Sequence, residues 1–295
     1  MTLDIFIPFW GDSALLLAAV RSVRAQTVTD WRLTVVDDCS PGPDVEPMLR
    51  EFGDYRIHYI RNERNLGVTE NFQRCVQLAE AEYLCIPGYD DLLLPGYVKA
   101  ALDAVIRFPS AGIIQLGVRV VDAAGAVTQS LPDVVKRALR PRSSERGMTL
   151  GGEDLATSLL RGDWLYWPSL VFRTASLRTV DFRPEFLIIQ DLAILVDLAL
   201  KDIVLAVVPD IQFSYRRHSA SLSQRAILDG SRFHGERQYY RLAAKLMVER
   251  GWPRAARTAR WRLISRLHAI AMFPLVMFRG TREGRKRALE LAFAI

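Results

Sequence analysis

The sequence predicts an α/β fold: a mostly parallel central sheet flanked by helices, with a helical C-terminal extension. Three observations predict it. Short apolar runs alternate with helix-spaced apolar residues from the N-terminus to Phe108, the pattern of a parallel sheet with right-handed crossovers. Successive runs end in polar groups, Asp37-Asp38, Asn65 and Asp90-Asp91, at the edge where open α/β sheets bind ligands. From Phe233 onward only helical spacing remains.

Residues 3–8 are almost wholly apolar, as in a strand buried on both faces. Phe9-Trp10-Gly11-Asp12 is a turn, and Leu15, Leu16, Ala19, Val20 and Val23 mark a helix. A second strand, 32–36, runs into Asp37-Asp38-Cys39-Ser40-Pro41-Gly42. A short helix over 45–52 carries Pro47 in its first turn, where a missing N–H costs nothing. The third strand is 56–60; Asn65-Leu66-Gly67 then turns into a helix over 70–78. The fourth strand, 83–86, is bounded by Pro87-Gly88 and followed at once by Asp90-Asp91. Pro95 opens a helix with Val98, Ala101, Leu102, Val105 and Ile106 on one face.

Beyond Phe108 the pattern loosens. Residues 113–121 read as a strand. Residues 122–151 are polar, with 134–139 the only helical hint; a segment of this kind is usually functional or mobile. A helix over 152–160, a strand over 166–172, an apolar helix led by Gln190-Asp191, and short strands over 203–208 and 211–215 come next. These readings divide the chain into a unit over 1–225, with halves 1–110 and 111–225, and a helical extension over 226–295.

Composition narrows the function. Half of the 295 residues are apolar and 24% are charged, as in ordinary globular proteins. A net charge of +6 and a pI near 9.4 favour an acidic partner: nucleotide phosphates, nucleic acid or an anionic membrane. Cys39, Cys75 and Cys85 have no metal-like spacing, and their odd number suits a reducing compartment. The N-terminus has no basic stretch ahead of an apolar one, and no apolar run reaches the length of a membrane span. The expected place is therefore the cytoplasm.

Asp90 and Asp91 sit where a strand ends and a helix begins. Hard oxygen ligands there suit Mg²⁺ or Mn²⁺ holding phosphates; the plainer reading is a helix cap or a solvated turn. Asp37-Asp38 and Asn65 repeat the choice, as partners of a base or ribose on one reading and as turn residues on the other.

In order along the chain, Ile5-Phe6-Ile7-Pro8, Ser22-Val23-Arg24-Ala25-Gln26-Thr27, Val35-Val36-Asp37-Asp38-Cys39-Ser40 and Asn65-Leu66-Gly67-Val68 resemble the start of a family-2 glycosyltransferase with the GT-A fold. The stretch through Asp90-Asp91 resembles that family's DxD region, Gln190-Asp191 its Glu-Asp, and Tyr215-Arg216-Arg217-His218 its Tyr-Arg-x-His. The resemblance covers roughly residues 2–223. It implies inverting transfer of a sugar from a nucleotide-diphosphate donor (UDP-, GDP- or dTDP-linked) to a hydroxyl of a glycan, a lipid-linked sugar or another acceptor, as in cell-envelope polysaccharide or glycoconjugate synthesis. Mn²⁺ or Mg²⁺ is the implied cofactor. Carried over by position, Pro8, Asp38 and Asn65 hold the nucleobase; Tyr89 and Asp90 meet the donor; Asp90 ligates the metal; Arg216 and His218 close over diphosphate and metal; Asp191 is the catalytic base. Its place at the start of a helix suits a partly buried base.

Two departures stand out. Gly88 replaces the first DxD acid, and Gln190 replaces Glu. Asp91 is then either a second metal ligand or the cap of the next helix. These departures also motivate an alternative, a sugar-nucleotide-binding protein of the same fold with impaired catalysis. A nucleotidyltransferase, a further alternative, usually needs a glycine- and lysine-rich phosphate loop, which Phe9-Trp10-Gly11-Asp12 does not offer. Nucleic acid is not an expected partner, because the basic residues cluster in the tail.

Trp164, Tyr166 and Trp167 precede the acceptor side; Trp164 is the candidate sugar platform and the other two are expected in the core. In the tail, Arg254, Arg257, Arg260, Arg262 and Arg266 lead into an apolar run over 267–278, and Arg279, Arg282, Arg285, Lys286 and Arg287 come after it. Such a helix fits an anionic membrane surface, which would place the protein peripherally on the inner face of the cell membrane, or a lid on the catalytic unit.

Overall fold

The four apolar runs of the N-terminal half become parallel strands. The computed structural model describes residues 1–217 and 226–293. Strands β1 (Leu3–Phe9), β2 (Trp31–Asp37), β3 (Ile57–Arg61) and β4 (Tyr83–Cys85) lie in the order β3-β2-β1-β4. Helices α1 (Ser13–Arg24), α2 (Glu46–Arg50) and α3 (Val68–Leu78) make the crossovers, and α4 (Tyr97–Arg107) comes after them. All four strands end at one edge, with Phe9, Asp37 and Arg61 in register.

The other half of the sheet is mixed. Strands β5 (Leu92–Leu93), β6 (Ala111–Val121), β7 (Met148–Leu150), β8 (Leu170–Arg173) and β9 (Val204–Arg216) complete the order β3-β2-β1-β4-β8-β6-β9-β5, with β7 on β9. The long β6–β9 pairing is parallel; β8 runs antiparallel to β4 and β6, and β5 and β7 antiparallel to β9.

Local differences from the sequence reading have physical causes. The two strands expected over 203–208 and 211–215 are one, because register shifts against β6 around Gln115 and Gly117 absorb Pro209, which lacks a ladder donor. Pro95 does not open α4: Leu94 donates to the Gln212 carbonyl and Thr27 to the Pro95 carbonyl, and Pro95-Gly96 form a turn closed by Tyr97 N on the Leu94 carbonyl, so the helix starts at Tyr97. In the expected strand over 166–172, Trp167–Ser169 form a 3-10 turn. The polar segment contains helix α5 (Leu131–Leu139), started by a reciprocal capping box between Ser130 and Asp133.

Helices α6 (Gly152–Arg161), α7 (Thr174–Leu177) and α8 (Gln190–Leu200) precede the C-terminal set, α9 (Ser231–Glu249), α10 (Pro253–Trp261), α11 (Leu263–Arg279) and α12 (Arg282–Phe293). One apolar core holds Leu16 and Val20 of α1 with Val98 and Val105 of α4; a second lies on α3, α6 and α8. Tyr239, Ala243 and Met247 of α9 and Ala255 and Ala259 of α10 belong to that second core. Burying Tyr239 and Met247 contributes roughly 1.5–3 kcal/mol each, so these two helices pack as part of the core that also holds α3, α6 and α8. Helices α11 and α12 instead close a small third core around Phe233, Ala269, Val276, Ala288 and Leu291.

The sequence reading finds no apolar run long enough to span a membrane. Within Pro253–Arg279, however, one window is long and apolar enough to do so by length and composition. The helix breaks there at Arg262, whose φ of 37° is left-handed.

Candidate active site

The polar edge is built at the ends of β1, β2 and β3. Asp38, buried at that edge, accepts from Asn62 Nδ2 (2.7 Å), Leu66 N (2.7 Å) and Gly67 N (2.9 Å). An ionised carboxylate has about four acceptor sites, so three are filled by the chain itself. Asp38 therefore shapes the Asn65 turn, and one acceptor site remains for the base contact that the sequence reading gives it. Its neighbour Asp37 is equally engaged, with Ser40 N, Tyr59 Oη and Arg61 Nη1. Asn65 is exposed on the turn so formed, its oxygen accepting the Gly67 N–H. Pro8 is half-buried, opposite Val36.

Tyr89 is tied to the same edge. Its ring stands edge-on to Phe9 at 5.6 Å, and a Cβ on Gly11 would come within 2.5 Å of its hydroxyl oxygen. A larger residue at Gly11 would require that ring to shift from the turn after β1.

Asp90 and Asp91 face different surroundings. Asp91 is buried; it accepts from Arg216 N at 2.9 Å and from Gly88 N at 3.2 Å. It does not cap α4, whose first turn has no side-chain cap. Burial, then the charge of Asp90, pushes its carboxyl well above the usual range, against those two N–H donors and the charge of Arg216. Asp90 is partly exposed beside it. A Cβ on Gly88 would lie 2.8 Å from an oxygen of each carboxylate, so the two acids converge on one place. Arg216 does not reach outward as expected. Its guanidinium is buried on the carbonyls of Asp90 (2.8 Å), Asp122 (3.2 Å) and Ala123 (2.9 Å), where it positions the Asp90 backbone.

Asp191 opens α8, with its Oδ1 accepting the Leu192 N–H. Burial, then the charge of Asp163, pushes its carboxyl up to about 6, against Lys136, the Leu192 N–H and Arg232. Lys136 lies 3.7 Å from Asp163 and 4.8 Å over the Tyr166 ring. One turn earlier on α5, buried Asp133 takes a bidentate bond from Arg217 (2.6–3.1 Å) and the Tyr166 hydroxyl at 2.9 Å. Burial raises the Asp133 carboxyl, but Arg217 and Ser130 outweigh it and hold it at about 2. Tyr215 joins the two halves of the site. Its hydroxyl is pushed up to about 12 by burial and then by Asp91, with Asp90 and Asp191 adding to the rise and Arg217 opposing it. Asp191 and the Asp90–Asp91 pair thus all act electrostatically on Tyr215; a carboxyl raised to about 6 can take a proton, and a pair of acids can hold an anionic group through a cation.

Comparison with known proteins bears on the family and the fold. The family model described as glycosyl transferase family 2 matches residues 4–149. Over these residues the chain is similar to family-2 glycosyltransferases. Over 90 residues the chain is 33% identical to the putative colanic acid biosynthesis glycosyl transferase WcaA of Escherichia coli K12, covering 30% of this chain and 32% of that protein. Over 115 residues it is 30% identical to the uncharacterized protein y4gI of Sinorhizobium fredii, covering 38% of this chain and 13% of that protein. The chain thus spans a third or less of these relatives. Its fold is that of S. aureus TarS 1-349 in complex with UDP-GlcNAc: TM-score 0.71 at 14% identity, over 99% of this chain and 79% of that one.

Pro8, Asn65 and Tyr89 lie around the ends of β1 to β3, Asp90 follows Tyr89, and Gln190, the residue before Asp191, bonds Thr69 just after the Asn65 turn; His218 lies outside the described residues. Trp164 is no sugar platform. It is 3% exposed, in the second core, with its indole N–H on Ser158 Oγ. Gln190 donates to the Arg183 carbonyl and to Thr69 Oγ1, bonds that a Glu carboxylate could not donate, which accounts for the amide there. Missed from sequence were Asp133, Lys136 and Asp163. The signal for the first was present in Ser130-x-x-Asp133 ahead of an apolar stretch, a capping box.

The same geometry explains Gly88. Gly88→Asp, which restores the DxD spelling, is expected to destabilise the chain by about 1–3 kcal/mol, because its Cβ would crowd both carboxylates. Thermal melting with a Mn²⁺ titration checks this; tighter Mn²⁺ binding with unchanged melting would contradict it.

Proposed function

We propose that this protein is an inverting glycosyltransferase that moves a sugar from a nucleotide-diphosphate donor to an acceptor hydroxyl, in the assembly of an envelope polysaccharide or glycoconjugate. The reading is carried by Asp191, a carboxyl at the start of α8 that burial raises to about 6, together with Asp90 and Asp91, which converge at Gly88. The WcaA relative, named for colanic acid biosynthesis, and the UDP-GlcNAc complex of TarS support it.

In this reading the nucleotide lies along Pro8, the Asn65 turn and Tyr89, with its diphosphate toward Asp90. Asp191 takes the acceptor hydroxyl's proton as that oxygen bonds to the anomeric carbon; the bond to the diphosphate breaks on the far face, and the diphosphate leaves with the electron pair. The Asp133–Arg217 pair positions Tyr166 and Tyr215 around the base.

The residues fit a divalent cation. Two carboxylates converge at Gly88, and the charge of one disfavours ionisation of the other, which a cation would relieve. The described residues hold no group of three or more metal-ligating side chains, so phosphate and water would have to complete the shell of Mg²⁺ or Mn²⁺. Asp90, with Asp91 behind it and His218 as further candidates, would hold the ion, which would offset charge on the leaving diphosphate.

Asp90→Asn is expected to remove most of the Mn²⁺-stimulated binding of nucleotide diphosphates, read by calorimetry with and without Mn²⁺. Parental binding by the variant would overturn the assignment. Transfer from a panel of nucleotide sugars tests the function itself, and no turnover with intact donor binding would favour the impaired-binder alternative.

A further inference from the structure

Helix α11 turns an apolar stripe toward solvent. Leu263, Leu267, Ile270, Pro274, Met277 and Phe278 are all exposed, Leu267 at 59% and Phe278 at 87%. Their spacing of three and four residues places them along one side of the helix. The other side is occupied: Ser265, Ala269 and Val276 are buried, the last two in the third core. No Asp, Glu, Lys or Arg occurs from Leu267 to Phe278. Exposed cations gather at both ends instead, Arg257 and Arg260 before the stripe, Arg279, Arg282 and Lys286 after it. The acids of α12 are engaged, Glu283 with Arg287 and Glu290 with Arg237.

We propose that this face rests on an anionic lipid surface, with α11 lying in the plane of the interface. An apolar stripe with basic ends matches acyl chains bordered by anionic headgroups. A second copy is a poorer match, since both ends of the stripe are basic and pairing would set like charges together. Crossing the bilayer is disfavoured too. The 17 residues of α11 span only about 25 Å, Pro274 interrupts them, Arg262 breaks the link to α10, and one side is already packed. The start of the helix abuts the catalytic side: Ile264 lies 3.3 Å from where a Cβ on Gly162 would sit, next to Asp163. Resting on the function proposed above, this places a lipid-carried acceptor within reach of Asp191.

The test is flotation of the full chain with vesicles of phosphatidylcholine alone and with phosphatidylglycerol, at low and high salt. Expected is binding to the anionic vesicles only, weakened by salt, and at least about tenfold weaker for the double variant Leu267→Glu, Phe278→Glu. Tyr55→Glu, exposed on the loop before β3, should bind like the parent. Melting and nucleotide-diphosphate binding of the double variant should be parental, which separates loss of the surface from loss of the fold or of the donor site. No binding by the parent, equal binding by parent and double variant, or a dimer that the double variant dissolves would each overturn the proposal.

Discussion

Asp191→Asn is expected to lower sugar transfer by roughly 10²–10⁴-fold while nucleotide-diphosphate affinity, with or without Mn²⁺, stays parental. The amide keeps the shape and cannot take the proton. The pH profile carries a second signature. A base must be ionised to act, so parental turnover should fall as pH drops through about 6, and the residual activity of Asp191→Asn should lack that limb. Stability moves the other way. The folded carboxyl sits near 6 instead of 3.8, so its contribution to stability is fully present below the lower value and lost as pH rises through the higher one. Asp191→Asn should therefore match the parent near pH 4 and exceed it by about 1–3 kcal/mol at pH 8, reduced by the partial exposure of the site. Thermal melts at the two pH values read this directly. A variant that transfers sugar at the parental rate would remove Asp191 from the mechanism and direct attention to Asp163 beside it.

Asp38→Asn should act mainly on the fold. Its carboxylate meets three N–H donors in a buried place, and an amide would turn an NH₂ group toward some of them. Charge-assisted bonds lost from buried donors cost about 2–4 kcal/mol in total. A melting midpoint lowered by about 5 °C or more is expected, with nucleotide affinity falling because the Asn65 turn is loosened. Unchanged melting with a large loss of nucleotide affinity would instead mean that Asp38 touches the base directly.

Much of the molecule was legible in the sequence. Alternation of apolar runs with helical spacing is a local signal, and it located β1 to β4, α1, α3 and α8 within a few residues. The polar ends of three strands marked the edge proposed to take the donor, and their order along the chain pointed to the family. Local patterns could not decide what each polar side chain does there. Asp91 is a strut because Arg216, 125 positions later, brings its N–H to it. Asp133 belongs to the site because Arg217 lies 84 positions away in sequence and within hydrogen-bond distance in space. Trp164 resembles a sugar platform by composition and is a core residue by packing. Periodicity records which side of an element is apolar, and that much is set locally. Which donors meet a carboxylate, and whether an apolar side faces a core or solvent, as on α11, depends on what distant segments bring to it, and only the tertiary structure decided that.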